Sequence, residues 1–273
     1  MLPNGKVLCA FSPFGYRDGN NNPVYPRPTY FFEYDYTAGS NGAFNFVFPP
    51  VSSFPNPFGD NVPSYQSAML ALPDGTVLYS HCGSDLYIYT PDGSPVASGK
   101  PAITSVTQNR DGSYHLIGTG LNGISQGASY GDDLQMDSNY PLVRMTNSAN
   151  SNVYYARTYN WSSTGVMTGT NVVTTEFTSP NNAPPGNYSL VVVANGIPSD
   201  PVSYNGPVWV DFNYTVGTET GTYAQPYDTL AKGTNAVSSG GTIAIKPGVS
   251  HETMTITKPM TIVAIGGSAT IGQ

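Results

Sequence analysis

Gly123-Ile124-Ser125-Gln126-Gly127 has the Gly-x-Ser-x-Gly spacing of a nucleophile elbow, in which a serine hydroxyl stands on a sharp turn between a strand and a helix. A triad built on Ser125 would take His115 or His81 as base and Asp132 or Asp133 as orienter, because triads are defined by geometry and not by chain order. The local context argues for a plainer role. Strand-like His115-Leu116-Ile117-Gly118 precedes the motif and the loop Ala128-Ser129-Tyr130-Gly131-Asp132-Asp133 follows it, with no helix pattern after the serine. A glycine-rich loop is therefore the favoured reading, and a hydrolase using Ser125, His115 and Asp132 is the alternative.

The remaining reactive side chains are sparse. His81, His115 and His251 lie far apart with no metal-ligand spacing, and Asp132, Asp133 and Asp137 sit outside any twelve-residue calcium loop. No metal or other cofactor is expected. Cys9 and Cys82 are too few for a disulfide scaffold or a zinc cluster, and each lies in a hydrophobic strand-like run, so both are expected to be buried free thiols. Tyr30 to Tyr36, and Tyr154, Tyr155, Tyr159 and Trp161, have the ring surface to stack on sugars; cross-strand packing is the commoner use of strand aromatics.

The elements that must position these groups are β-strands. Among 273 residues there are 30 Gly, 24 Pro and 20 Tyr, and only 10% are charged, a turn-rich aromatic composition that points to an all-β fold. Ten Lys and Arg against seventeen Asp and Glu give a net charge of −7, which lacks the basic footprint required by nucleic acid or anionic lipid. No apolar run approaches the ~20 residues of a membrane span. The opening MLPNGKVLCAFSP has neither the basic nor the apolar region of a signal peptide and reads as a strand in progress, so the chain is expected to be part of a longer one.

Three modules are expected. In residues 1–100, Leu2-Pro3-Asn4-Gly5-Lys6-Val7-Leu8 recurs as Leu72-Pro73-Asp74-Gly75-Thr76-Val77-Leu78, each a tight turn leading into a strand, as in propeller blades with long loops. Residues 101–205 carry six or seven short strands at the spacing of a two-sheet sandwich, with Ile103, Leu142, Val191 and Val193 expected in its core. Residues 206–273 open with a helix pattern from Pro226 to Val237. Strand-like rungs follow at Thr242–Ile245, Thr253–Thr257 and Thr261–Ile265, as at the start of a parallel β-helix.

The stretch PSYQSAMLALPDG from Pro63 to Gly75, the strand ending Tyr87-Ile88-Tyr89-Thr90-Pro91 and the entry Pro101-Ala102-Ile103-Thr104 resemble the last kelch blade of a galactose-oxidase-like propeller passing into its immunoglobulin-like domain. Leu142-Val143-Arg144 and the strand Pro184-Pro185-Gly186-Asn187-Tyr188-Ser189-Leu190 fit the same resemblance, which covers residues 1–205. The tail is similar to the N-terminal edge of pectin-lyase-like β-helices, a right-handed parallel coil with a capping helix. The resemblance implies a copper site made from a Tyr-His pair before the Leu-Pro-Asp-Gly turn, a further Tyr, and a His from the sandwich. Here the pair is Tyr65-Gln66, and no histidine occurs from Asn152 to Asn160. Gln offers copper a neutral amide oxygen where an imidazole nitrogen is wanted, so copper oxidase chemistry is not expected. What remains is a scaffold from a secreted or cell-surface protein that binds glycans or protein surfaces, with Tyr65, Gln66, Tyr154 and Arg157 as candidate ligand contacts. Its unpaired strand edges are expected to favour self-association.

Overall fold

The computed structural model describes residues 1–49, 58–125 and 141–272, and the fold is all-β. In the first hundred residues, β1 (Val7–Phe11), β4 (Tyr30–Asp35) and β5 (Ala43–Val47) form one antiparallel three-stranded sheet in the order β1-β4-β5; β2 (Tyr16–Arg17) and β3 (Pro23–Val24) form a short hairpin between them. A second three-stranded sheet runs β6 (Ala68–Ala71), β7 (Val77–Ser80), β8 (Leu86–Tyr89). Alternation along the strands sets the contact between these two sheets. Phe31 and Glu33 on β4 meet Tyr79 and Tyr89 on β7 and β8, ring to ring at 5.1 Å for Phe31–Tyr79 and through a 2.7 Å bond from the Tyr89 hydroxyl to Glu33. Glu33 also takes a 2.7 Å ion pair from Lys6. The intervening residues Phe11, Phe32, Phe44 and Phe46 face the other way and touch one another at ring separations of 5.6–6.1 Å.

The sequence repeat is a conformational repeat. Leu2 N–H donates to the Lys6 carbonyl and Leu72 N–H to the Thr76 carbonyl, at 2.7 and 2.8 Å. Asn4 and Asp74 each accept at 3.0 Å from the backbone amide two residues on, and Gly5 and Gly75 hold φ of +86° and +89°, open to glycine at no steric cost. A third copy follows at Asn109–Ser113, with Asp111 accepting from Ser113 N–H at 3.0 Å and Gly112 at φ +84°. The hydroxyls of Thr76 and Ser113, bonded to Asp74 and Asp111, hold those carboxyls below the ordinary carboxylate range.

Residues 102–206 make one eight-stranded sheet. Its strands are β9 (Ala102–Gln108), β10 (Tyr114–Thr119), β11 (Leu142–Asn147), β12 (Val153–Tyr159), β13 (Val172–Phe177), β14 (Gly186–Ala194), β15 (Ile197–Pro198) and β16 (Val202–Gly206). The path is β15-β14-β11-β12-β13-β10-β9, with β16 also on β14. Where the sequence suggests two separate facing sheets, β12 serves both halves: Val153 to Arg157 pair with β11, and Thr158 and Tyr159 pair with β13. A strand that changes partners turns a corner, so the sheet curls around a core. That core holds Leu116, Val143, Met145, Phe177, Leu190 and Val192, with the rings of Tyr114, Tyr188 and Tyr204. Burial pushes the phenol of Tyr204 up to about 12, and its hydroxyl lies 2.5 Å from Ser179 Oγ.

The expected core positions are corrected by one residue. Leu190 and Val192, with Val143 and Met145, line the curled core; Val191, Val193 and Leu142 lie on the alternate face, and Ile103 packs against the core margin. Val191 and Val193 are buried all the same, at 5% and 3% exposure, which is why a run of consecutive valines conceals its register.

The last segment is parallel. β17 (Val208–Val210), β18 (Thr242–Ile245) and β20 (Thr261–Ala264) pair side by side in the same direction, as do β19 (Gly248–Ser250) and β21 (Ala269–Ile271). Helix α1 (Leu230–Ala236) covers them, burying Leu230 with Val208, Val210, Ile243 and Ile245. The expected rung at Thr253–Thr257 is not a strand, and the charged residues that flank it serve the helix. Glu252 accepts from the free amides of Leu230 and Ala231 at 2.7 and 3.1 Å, while Lys258 Nζ donates to the carbonyls of Thr234, Asn235 and Val237 at 2.8, 3.2 and 2.7 Å. One connection thus places a carboxylate at the helix start and an ammonium at its end, complementing the dipole and the unpaired backbone groups at each terminus.

Two stability measurements follow from this arrangement. Val192→Asp puts an unpaired carboxylate at a position with 0% exposure, and we expect a loss of at least about 3 kcal/mol in chemical denaturation; an unmoved midpoint would place Val192 outside the core. Lys258→Met and Glu252→Gln should each cost about 1–2 kcal/mol in the unfolding of the C-terminal segment. Wild-type stability in both variants would show that the helix does not depend on these caps.

Candidate functional site

A buried polar cluster lies between the two N-terminal sheets, around Asp60. Its backbone is clamped to Thr29 by reciprocal bonds of 2.8 and 2.9 Å, and its residue exposure is 2%. Two side chains from the end of β7 converge on one carboxylate oxygen: the Tyr79 hydroxyl donates to Asp60 Oδ2 at 2.7 Å, and His81 Nδ1 stands 2.9 Å from the same atom. Tyr79 and His81 are two apart on an extended segment, so both point to the same side. A carboxylate oxygen facing a ring nitrogen accepts from it, which makes Nδ1 the donor of this pair. Tyr79 and Tyr87 wall the imidazole at ring separations of 6.2 and 5.8 Å. Burial, with the Asp60 charge in support, raises the phenol of Tyr79 far above its ordinary value, and Tyr79 stays a hydrogen-bond donor.

Tyr65 and Gln66 adjoin this cluster. They lie on a short 3-10 turn, Ser64–Gln66, whose next residue, Ser67, places its hydroxyl 3.4 Å from that of Tyr79. Tyr65 is 43% exposed and meets the exposed ring of Tyr25 edge to face at 5.0 Å. Gln66 Nε2 donates to the Tyr65 hydroxyl at 3.3 Å, and the Gln66 carbonyl accepts from the Cys82 thiol at 3.3 Å. Tyr25, Tyr65, Gln66 and Cys82 are thus joined by contacts into one patch of two rings, an amide and a thiol, beside His81 in the chain. Among the described residues, no group of three or more His, Cys, Asp or Glu side chains gathers at metal-binding distance.

The other expected site residues lie elsewhere. Tyr154 faces inward, its ring 6.1 Å from that of Tyr188, while Arg157 is three residues along the same strand and on the opposite face. Ser125 is bracketed by Asn195, whose Oδ1 accepts from the amides of Ile124 and Ser125 at 2.8 and 3.3 Å and whose Nδ2 donates to the Ser125 carbonyl at 3.2 Å. His115 is four residues back from the end of β10, about 13 Å along the strand, and its Nδ1 lies 4.0 Å from Glu176. The register therefore sets His115 toward one end of the curled sheet, with Asn109 and Glu176, and Ser125 toward the other, with Gly99 and Asn195. Asp132, with Asp133 and Asp137, lies outside the described residues. Both cysteines are free, but Cys82 is exposed where burial is expected; Cys9 is half-buried, and that burial pushes its thiol up.

The Asp60–His81 pair is the part of the site that sequence reasoning misses. Twenty-one residues separate the two, and only the Tyr-x-His alternation at the end of β7 hints that His81 turns toward the interior. Replacing Asp60 by Asn leaves a neutral amide against two donors, and we expect it to lower stability by about 1–3 kcal/mol, read as a fall in melting temperature. An unchanged melting temperature would show that the pair contributes nothing to holding the two sheets. Neither the scan against protein-family models nor the search of curated proteins finds a match for this chain.

Proposed function

We infer that the chain is a binding scaffold of a secreted or cell-surface protein, built from kelch-like blades, an immunoglobulin-like sandwich and the opening of a right-handed β-helix, and that its Tyr25–Tyr65–Gln66 surface takes glycans. One observation carries this reading: two tyrosine rings stand exposed at an angle to each other, with an amide beside them that already bonds a phenol hydroxyl. A sugar ring offers an apolar face for such rings and a rim of hydroxyls for amide and imidazole groups, and its neutrality suits a chain of low charge density. The Phe11–Phe32–Phe44–Phe46 face, dominated by apolar rings, fits protein surfaces better. Copper chemistry has no part in the reading, because Gln66 stands at the ligand position and its amide is engaged with Tyr65.

A panel of immobilised polysaccharides tests it. We expect retention on at least one of them and a loss of about fivefold or more in affinity for Tyr65→Ala, the equivalent of about 1 kcal/mol of ring stacking. No retention on any polysaccharide, or equal retention by the variant, would overturn the assignment of this surface.

A further inference from the structure

Beyond the tyrosine surface, a cavity of about 310 Å³ opens between the two N-terminal sheets, and its lining is unusual in one respect. From β6, β7 and the residue before β6 it takes alternate positions, Met69 and Ala71 with Val77 and Ser67, as expected of a sheet face. From β1 it takes five in succession, Val7 to Phe11. Consecutive residues of a strand line a cavity only when the strand presents its edge, so the backbone of β1 and not merely its side chains borders the space. β1 is an edge strand whose one ladder is with β4, and among the described residues its opposite edge meets no other strand. Alternate N–H and C=O groups of an antiparallel edge strand point outward, and here they point toward a trough floored by Met69, Ala71 and Val77. Met1 and Leu2 complete the lining, which has no charged side chain; its one charge is the α-ammonium of Met1, which acts on Cys9.

We propose that this trough receives an extended, uncharged peptide segment of a partner protein, which adds to β1 as a further strand. A small apolar molecule would cover the floor but leave the β1 amides and carbonyls unmatched, whereas a peptide backbone supplies donors and acceptors at the same spacing. The five residues of β1 match a segment about 17 Å long. Its side chains alternate, apolar toward Met69 and Ala71 and polar toward solvent. A second folded copy of this chain fits less well, since each of its edge strands carries a sheet alongside it, whereas the trough lies between two sheets.

The end-capped peptide Thr-Val-Thr-Val-Thr is the probe, with the same peptide N-methylated at alternate amides as its control. At about 1 mM, a concentration suited to a short unconstrained strand, we expect the unmodified peptide to slow exchange of alternate β1 amides by about tenfold or more. It should slow alkylation of Cys9 as well, while leaving Cys82 unchanged, and the N-methylated peptide should do neither. Ala71→Trp, which fills the trough, should abolish both effects. Protection of Cys9 by both peptides without amide protection would mean that the trough takes apolar groups without strand pairing, and it would overturn the proposal. So would the absence of any effect in the wild-type chain, a result that does not depend on whether the Ala71 variant folds. Polysaccharide retention at Tyr65 is a separate readout, so either assignment can fail without the other.

Discussion

Every apolar sheet face must be covered by something, and the three ways in which this chain meets that constraint organise the rest of the structure. The eight-stranded sheet covers itself by curling, so that Leu190 and Val192 on one limb face Leu116 and Phe177 on the other. The parallel strands are covered by α1, a helix of only seven residues that could not persist alone and is held by Thr229, Glu252 and Lys258 as much as by its own bonds. The two three-stranded sheets cover only one face each, against one another, and around Phe31 and Tyr79 this contact is close. Toward β1 it opens into the trough, and on the outer face it leaves the phenylalanine rings in contact with solvent.

The repeated tight turn explains how these units meet. Gly75 lies so near Gly196 that a Cβ on Gly196 would fall 2.5 Å from the Gly75 Cα, and a Cβ on Gly112 would fall 2.7 Å from the ring of Tyr223. In both places a glycine selected for its positive φ is also the point where another unit makes backbone or ring contact. The same turn serves first as local geometry and then as a seat for the neighbouring unit, a dual demand that glycine alone satisfies. The sequence shows the turn; its second use depends on partners more than a hundred residues away, and no local pattern announces them.

Legibility follows the range of the interaction. The all-β class, most strands, the helix and the Pro-Asx-Gly turns were readable because each depends on neighbours within a few residues. The face of β14 was not, because Leu190 to Ala194 are all buried and alternation gives no signal there. The curl through β12 was likewise hidden, since a change of partner between Arg157 and Thr158 leaves no mark on composition. At the site, Tyr65 and Gln66 were visible through a resemblance, whereas Asp60 and His81 are joined only by tertiary folding. Glu252 and Lys258 flank the segment that reads as a strand, and their charges are the cue to a role at the helix ends.

The sharing of β12 between two ladders bears on how the middle of the molecule comes apart. In a sandwich of two separate sheets, one layer can fray while the other keeps its backbone bonds. Here the five residues bonded to β11 and the two bonded to β13 belong to one strand, so loss of either ladder frees a backbone that the other needs. In backbone bonding, the two limbs meet in this one strand. The region from β9 to β16 is thus joined by one shared strand as well as by one core, and the Thr158–Tyr159 link is where its backbone bonding is thinnest.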